Sequence, residues 1–231
     1  ISLMSSLLPF CQAFEENPDK KTSKMGLVFQ FLQNVGTNAD ELSHLASDDQ
    51  LKRFLFHIFS VLVENQFPAP SDGVIQPEIL QILQHLTILA QNHPDLCDTI
   101  AEIAPFDKLP FIFFGKNIEN NRIKDPQPSH LLSSLRFIAA ISCSHRLSVS
   151  SSESLHILFV TLFSLLEVRQ LTCVAATTIS GLAHNSTTAL AFIKSLPNFL
   201  SLRPELAALL SSDDHSIVIS SLSCLTCLFP C

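Results

Sequence analysis

The chain has 231 residues, 47% of them apolar and only 15% charged, with a mean hydropathy of +0.33. That balance excludes a disordered chain, which needs low hydrophobicity and high charge, and is long enough for one large domain or two small ones. Acidic residues outnumber basic ones 21 to 14, a net charge of −7. Direct nucleic-acid binding needs a basic face, and the one basic cluster, Lys20, Lys21 and Lys24, is diluted by Glu15, Glu16 and Asp19. The most apolar run, 155–168, contains His156 and Glu167 and is too short to span a bilayer. No nucleic acid and no membrane are therefore expected as partners. Residues 1–14 lack the basic start of a signal peptide. A chain opening on Ile1 and closing on Pro230-Cys231 reads as a fragment of something longer.

Apolar residues recur at helical spacing along the whole chain, and strand alternation is nearly missing. The spacing predicts helices over 2–14, 22–35, 38–46, 48–65, 76–92, 95–104, 107–115, 129–143, 152–167, 170–184, 187–194, 203–211 and 215–228. Pro18, Pro68, Pro70, Pro94, Pro105, Pro126, Pro128, Pro197 and Pro204 punctuate the runs, where a missing N–H does no harm. Asp and Ser at the starts are expected to cap: Ser47-Asp48-Asp49, Asp95, Asp107, Ser129 and Asp213-Asp214. Phe10, Phe14, Phe29, Phe31, Phe54, Phe56, Phe59 and Phe67 are expected in the core.

Four long helices close alike, at Leu89-Ala90, Ile141-Ser142, Leu182-Ala183 and Leu225-Thr226. The steps between them are 52, 41 and 43 residues. Armadillo and HEAT repeats run about 40–47 residues, and the longer first step contains 116–128, which reads as an inserted loop. The expected fold is all-α, an armadillo/HEAT-like helical-repeat solenoid in one domain over 1–231. Each unit is read as a short helix, a second helix and a long apolar third, and a three-helix unit cannot close its own core, so it stacks on its neighbours. The last helix carries a stripe of Val218, Ile219, Leu222, Leu225 and Phe229, which should pack on the helices at 170–184 and 203–211. Ile217 and Leu228 widen that stripe and should face the place of a next repeat, so the native protein is expected to continue past Cys231.

No constellation for catalysis, a cofactor or a metal passes the spacing tests. Cys224-x-x-Cys227 lacks the two further ligands of a structural zinc site and fits a buried helix face. The seven cysteines, an odd number lying mostly in apolar patterns, are expected as free thiols of a reduced compartment. There is no Gly-x-Ser-x-Gly elbow and no phosphate-cradling loop. The nine His have no partner at metal spacing on one face. The Ser-dense segment 142–154 reads as a connector, or more sharply as a phosphorylation site beside Arg146 and Glu153. What remains is surface. The long helices offer neutral hydrogen-bonding side chains, with Gln81, Gln84, Asn92, Ser133, Arg136, Thr177 and Ser180 as the candidate partner-binding set.

The stretch Leu171 to Asn185, then Ile193-Lys194-Ser195-Leu196-Pro197-Asn198, then Ile217 to Thr226, resembles the amino-terminal armadillo domain of the cancerous inhibitor of protein phosphatase 2A. The run Glu78 to Ala90 and the opening Leu7-Leu8 through Phe31-Leu32 are similar to it as well. The resemblance is diffuse and covers nearly the whole chain in order. It implies a non-enzymatic scaffold, without cofactor, that engages phosphatase 2A regulatory subunits and the BRCT-repeat topoisomerase II-binding protein. It also implies a full-length homodimer whose dimer region this chain lacks, and a cytoplasmic location with chromatin association in mitosis. The alternative within the same class is a generic armadillo or HEAT adaptor that binds a peptide or helix of another partner.

Overall fold

The computed structural model describes residues 49–64, 77–114, 118–119, 122–123 and 128–230. The helices expected over 2–14, 22–35 and 38–46 lie outside them. The chain divides into two compact units, Ile1–Pro105 and Phe106–Cys231.

The first unit contains α1 (Asp49–Glu64), α2 (Pro77–Asn92) and α3 (Pro94–Ile103). Helix α1 buries Leu51, Phe54, Leu55, Ile58, Phe59 and Leu62, steps of three and four that make one helical stripe. Phe56 falls off that stripe and is 62% exposed, so it is not the core residue expected. Helix α2 buries Ile79, Ile82, Leu83, Leu86 and Leu89 in the same manner. Helices α1 and α2 both pack on α3. Helix α3 starts with Pro94 at its first position behind an extended His93, and no side chain caps it. Asp95 sits in its first turn, where its charge meets the positive end of the dipole, and is not the cap expected.

The second unit runs α4 (Leu109–Phe114), β1 (Ile118–Glu119), β2 (Arg122–Ile123), α5 (Pro128–Ser142), α6 (Ser152–Leu166), α7 (Thr172–Asn185), α8 (Thr187–Ser195), a 3-10 turn (Phe199–Ser201), α9 (Leu202–Leu209) and α10 (His215–Leu228). The segment expected as a plain inserted loop thus holds a two-stranded antiparallel ladder, Ile118 opposite Ile123 and Glu119 opposite Arg122. Expected and observed limits of α5 to α8 and α10 agree within two residues. Ser151, Ser186 and Asp214 cap α6, α8 and α10 by accepting backbone N–H bonds.

Asp107 was expected to start the helix that follows it. That helix begins at Leu109, and the Asp107 carboxylate is spent elsewhere. It accepts the amides of Ser150 (3.0 Å) and Ser151 (2.9 Å) and the Ser150 hydroxyl, while its carbonyl accepts the Ser154 hydroxyl. Asp107 thereby ties the α4 entry to the start of α6, which orders the Ser-dense segment.

The repeat is visible in the packing of α5, α7 and α10. Helix α7 lies against α5 on one side and α10 on the other. Helices α7 and α10 are each 14 residues long, and residues 43 apart meet across their seam, as in the pairs Thr177–Ser220 and Ser180–Ser223. This is the period of an armadillo/HEAT-like repeat, and the fold is an all-α repeat solenoid of that kind.

Candidate interaction surfaces

Small side chains make the α5–α7 and α7–α10 seams. On the α5 side, a Cβ on Gly181 would stand 2.5 Å from the Ser142 hydroxyl oxygen and 3.3 Å from the Ser142 carbonyl oxygen. Only glycine permits that approach. It lets Asn185 donate its side-chain N–H to the Ser142 carbonyl at 2.8 Å, which satisfies one of the open acceptors at the end of α5. On the α10 side, the hydroxyls of Ser180 and Ser223 lie 2.6 Å apart and those of Thr177 and Ser220 3.2 Å apart. The Cys224 thiol donates to the Ala176 carbonyl at 2.8 Å. Burial pushes that thiol up to about 12, so it stays protonated and unreactive.

The candidate partner-binding residues therefore split. In the first unit Gln81, Gln84 and Asn92 are exposed on α2. Gln81 and Gln84 share an open stripe with Ile88, which is 53% exposed, and Gln91. In the second unit Arg136 is exposed and Ser133 half-buried on α5. Thr177 is exposed, yet its hydroxyl donates to the Cys173 carbonyl at 2.9 Å and meets Ser220. Ser180 is 8% exposed and turned into the α10 seam, where its hydroxyl serves helix packing.

The end of the second unit reverses the expectation for the last helix. Ile217 and Leu228, expected to face outward, are buried, together with Ser220, Ser221 and Cys224. Ile219 and Leu222, expected to pack inward, are 69% and 52% exposed. The small-residue side of α10 wins because α7 presents small residues to it, and close backbone approach outweighs the burial of two larger side chains. Phe229 stacks on Phe199 with ring centres 4.7 Å apart, and the Arg203 guanidinium lies 5.9 Å from the Phe229 ring centre.

Sequence reasoning missed a hollow in the first unit. Lys52, Arg53, Phe56 and His57 lie one turn apart on α1, and Ile103 at the end of α3 faces them across a shallow space of about 370 Å³. The Phe56 and His57 rings meet edge to face at 6.2 Å. Lys52 Nζ reaches Glu102 Oε1 at 3.4 Å across the two helices. The signal was present in the sequence, since Phe56 stands two residues from Phe54 and cannot share its face.

Chemistry is sparse. Among the described residues no group of three or more His, Cys, Asp or Glu could hold a metal, and Cys97, Cys143, Cys173, Cys224 and Cys227 are not joined in disulfides. Burial of the Asp107 carboxyl would raise its pKa, but the bonds from Ser150 and Ser151 outweigh this and hold it below the usual carboxylate range. No helix among the described residues is long and apolar enough to cross a membrane.

No family model and no curated protein matches the chain. Among solved structures it is similar to an engineered protein from a structural-genomics programme, at 17% identity over 89% of this chain and a TM-score of 0.51. The chain spans 47% of the length of that structure. A second engineered protein from the same programme is similar at 14% identity, over 95% of this chain and 96% of that one, with a TM-score of 0.49. A designed armadillo repeat protein is similar at 14% identity, over 96% of this chain and 99% of that one, with a TM-score of 0.44. At these identities the likeness speaks for the fold alone.

Proposed function

We propose that the chain is a non-enzymatic interaction scaffold that holds a peptide or helix of another protein on its open helix faces. An armadillo-like repeat fold typically serves as such a scaffold. The observation that carries the reading is the division of labour within the helices. Thr178, Ser180 and Ser220 are buried in packing, while Gln81, Gln84, Ile88 and Gln91 stand open on α2. Neutral amides beside an exposed aliphatic side chain suit a partner's backbone and side chains.

The finer reading rests on the resemblance of 171–185, 193–198 and 217–226 to the cancerous inhibitor of protein phosphatase 2A. On that reading the partners are phosphatase 2A regulatory subunits and the BRCT-repeat topoisomerase II-binding protein, met in the cytoplasm and, in mitosis, on chromatin. The test is capture from mitotic extract with the immobilised chain, followed by binding of each purified candidate. Direct binding of either protein, reduced at least tenfold by Gln81→Ala with Gln84→Ala and Ile88→Ser, is the expected result. Binding of neither, with stoichiometric capture of a different protein through the same residues, would replace the finer reading by the generic adaptor. Capture that ignores all three substitutions would remove α2 as the recognition face.

A further inference from the structure

We propose that the hollow between α1 and α3 is a second docking site, one that takes an acidic peptide segment of a partner protein. An apolar or aromatic anchor of the segment lies on Phe56, and its flanking carboxylates meet Arg53 and Lys52. The proposal rests on the scaffold reading and adds the chemistry of one ligand.

The argument starts from Phe56. Its ring is 62% exposed, it is braced at its edge by His57, and Ile103 supplies an opposite apolar wall. A ring held open above a shaped space favours an apolar group that covers it. Charge then selects the company of that group. The protein as a whole is acidic, with a net charge of −7, yet the rim of this hollow carries two cations one residue apart. Lys52 is paired with Glu102 at 3.4 Å, and both side chains are partly exposed, 35% and 42%. An exposed pair of this kind is weak and exchanges readily for a better partner. Arg53 is exposed and makes no ion pair among the described residues. Its planar guanidinium is the side chain best shaped to hold a carboxylate through two parallel bonds.

The three properties exclude the other simple ligands. A basic segment would meet Lys52 and Arg53 head on. A small anion alone would leave Phe56 and Ile103 uncovered, and a purely apolar segment would bury the Arg53 charge without a partner, which is costly. An apolar anchor between carboxylates satisfies all of them. Because the remainder of the protein repels negative charge, the attraction is local, and it weakens with salt over the Debye length of about 8 Å at physiological ionic strength.

The test uses the whole chain and a fluorescent peptide in which two Phe are flanked on each side by Glu. The controls are the same peptide with Ala for Phe and with Lys for Glu. Fluorescence anisotropy should show saturable binding of the first peptide, weakened at least tenfold in each control. Arg53→Glu and Phe56→Ser should each weaken binding at least tenfold. Both sites are exposed, so the variants should melt with the parent, and Arg53→Gln should give an intermediate loss if charge is the cause. Binding that is absent, that is equal for the Lys peptide, or that survives both Arg53→Glu and Phe56→Ser would overturn the proposal. The scaffold reading stands or falls separately. Capture of a partner through Gln81, Gln84 and Ile88 that persists in the Phe56→Ser variant would leave that reading intact while the acidic site fails.

Discussion

Helices α7 and α10 are the same element in successive repeats, and they differ in how their forward faces are covered among the described residues. Thr172 and His215 begin them and Asn185 and Leu228 end them. Their backward faces agree. Gly181 on α7 and Cys224 on α10 are corresponding positions, and each lies where its helix meets the previous long helix. Their forward faces differ. Ala176, Ile179, Ser180 and Ala183 of α7 are buried. The corresponding residues Ile219, Leu222 and Thr226 of α10 are exposed, while Ser223, at the position of Ser180, meets Ser180 across the seam. The covered face is mostly small and the open one carries two large aliphatic side chains. Where α10 packs on α7, Ala176, Ser180 and Ala183 keep the covered positions small.

The comparison breaks most sharply at its closest point. Gly181→Leu drives a side chain into Ser142 and should cost about 3 kcal/mol in denaturant unfolding, the upper range for overpacking. Gly181→Ala should cost less, because alanine favours helix by about 1 kcal/mol over glycine. Adding Ser142→Ala removes the nearest atom and should recover most of the loss. Failure of that recovery would show that the two helices are held apart by something else.

A matched pair sharpens the forward faces. Ala176→Leu should cost about 2 kcal/mol, since the added atoms must part α7 from α10. Ile219→Ala, at the corresponding exposed position, should stay within about 0.5 kcal/mol of the parent. Equal effects at the two sites would contradict the assignment of covered and open faces. Both are read from the urea midpoint at constant slope.

Asp107 gives a pH-dependent handle on how the second unit is tied together. Its folded carboxyl titrates below the usual range, so its contribution is present above the unfolded pKa and is lost as pH falls through the folded one. The parent should therefore lose stability on acidification below the ordinary carboxylate range by more than Asp107→Asn does. Parallel pH profiles would mean that the bonds to Ser150 and Ser151 do not favour the charged form. The smallest effect is expected at Ser221, whose buried hydroxyl has no hydrogen-bond partner. Ser221→Ala should be neutral or stabilising by about 0.5 kcal/mol, and a loss above about 1 kcal/mol would reveal a partner.

Much of this was legible in the sequence because it is local. Pro94 and Asp214 mark helix starts through missing or satisfied N–H groups, and the step from Leu182 to Leu225 is the register by which α10 meets α7. The misses share a different origin. Asp107 stands beside a helix it does not cap, because its partners are Ser150 and Ser151, 43 and 44 residues on. Ser180 looks like a surface serine until Ser223 is placed against it. Ile219 and Leu222 look like core until the small side of α10 takes the contact. Each depends on which face a neighbour covers, and helical periodicity gives the faces without the neighbour. The hollow at Phe56 was hidden for the same reason, since Ile103 comes from another helix.

The central claim, that α7 and α10 stack in a 43-residue register, is tested most directly by thiol crosslinking. In a Cys227→Ser background, needed because the Cys227 thiol lies 3.7 Å from the Ser180 hydroxyl, Ser180→Cys with Ser223→Cys places two thiols where the hydroxyls stand 2.6 Å apart, close enough for an S–S bond. Mild oxidation followed by peptide mapping should find the crosslink between positions 180 and 223 in high yield. The control pair Ser180→Cys with Ser216→Cys, two helical turns out of register, should give almost none. Equal yields from the two pairs, or a crosslink only in the control, would contradict the register and the repeat reading built on it.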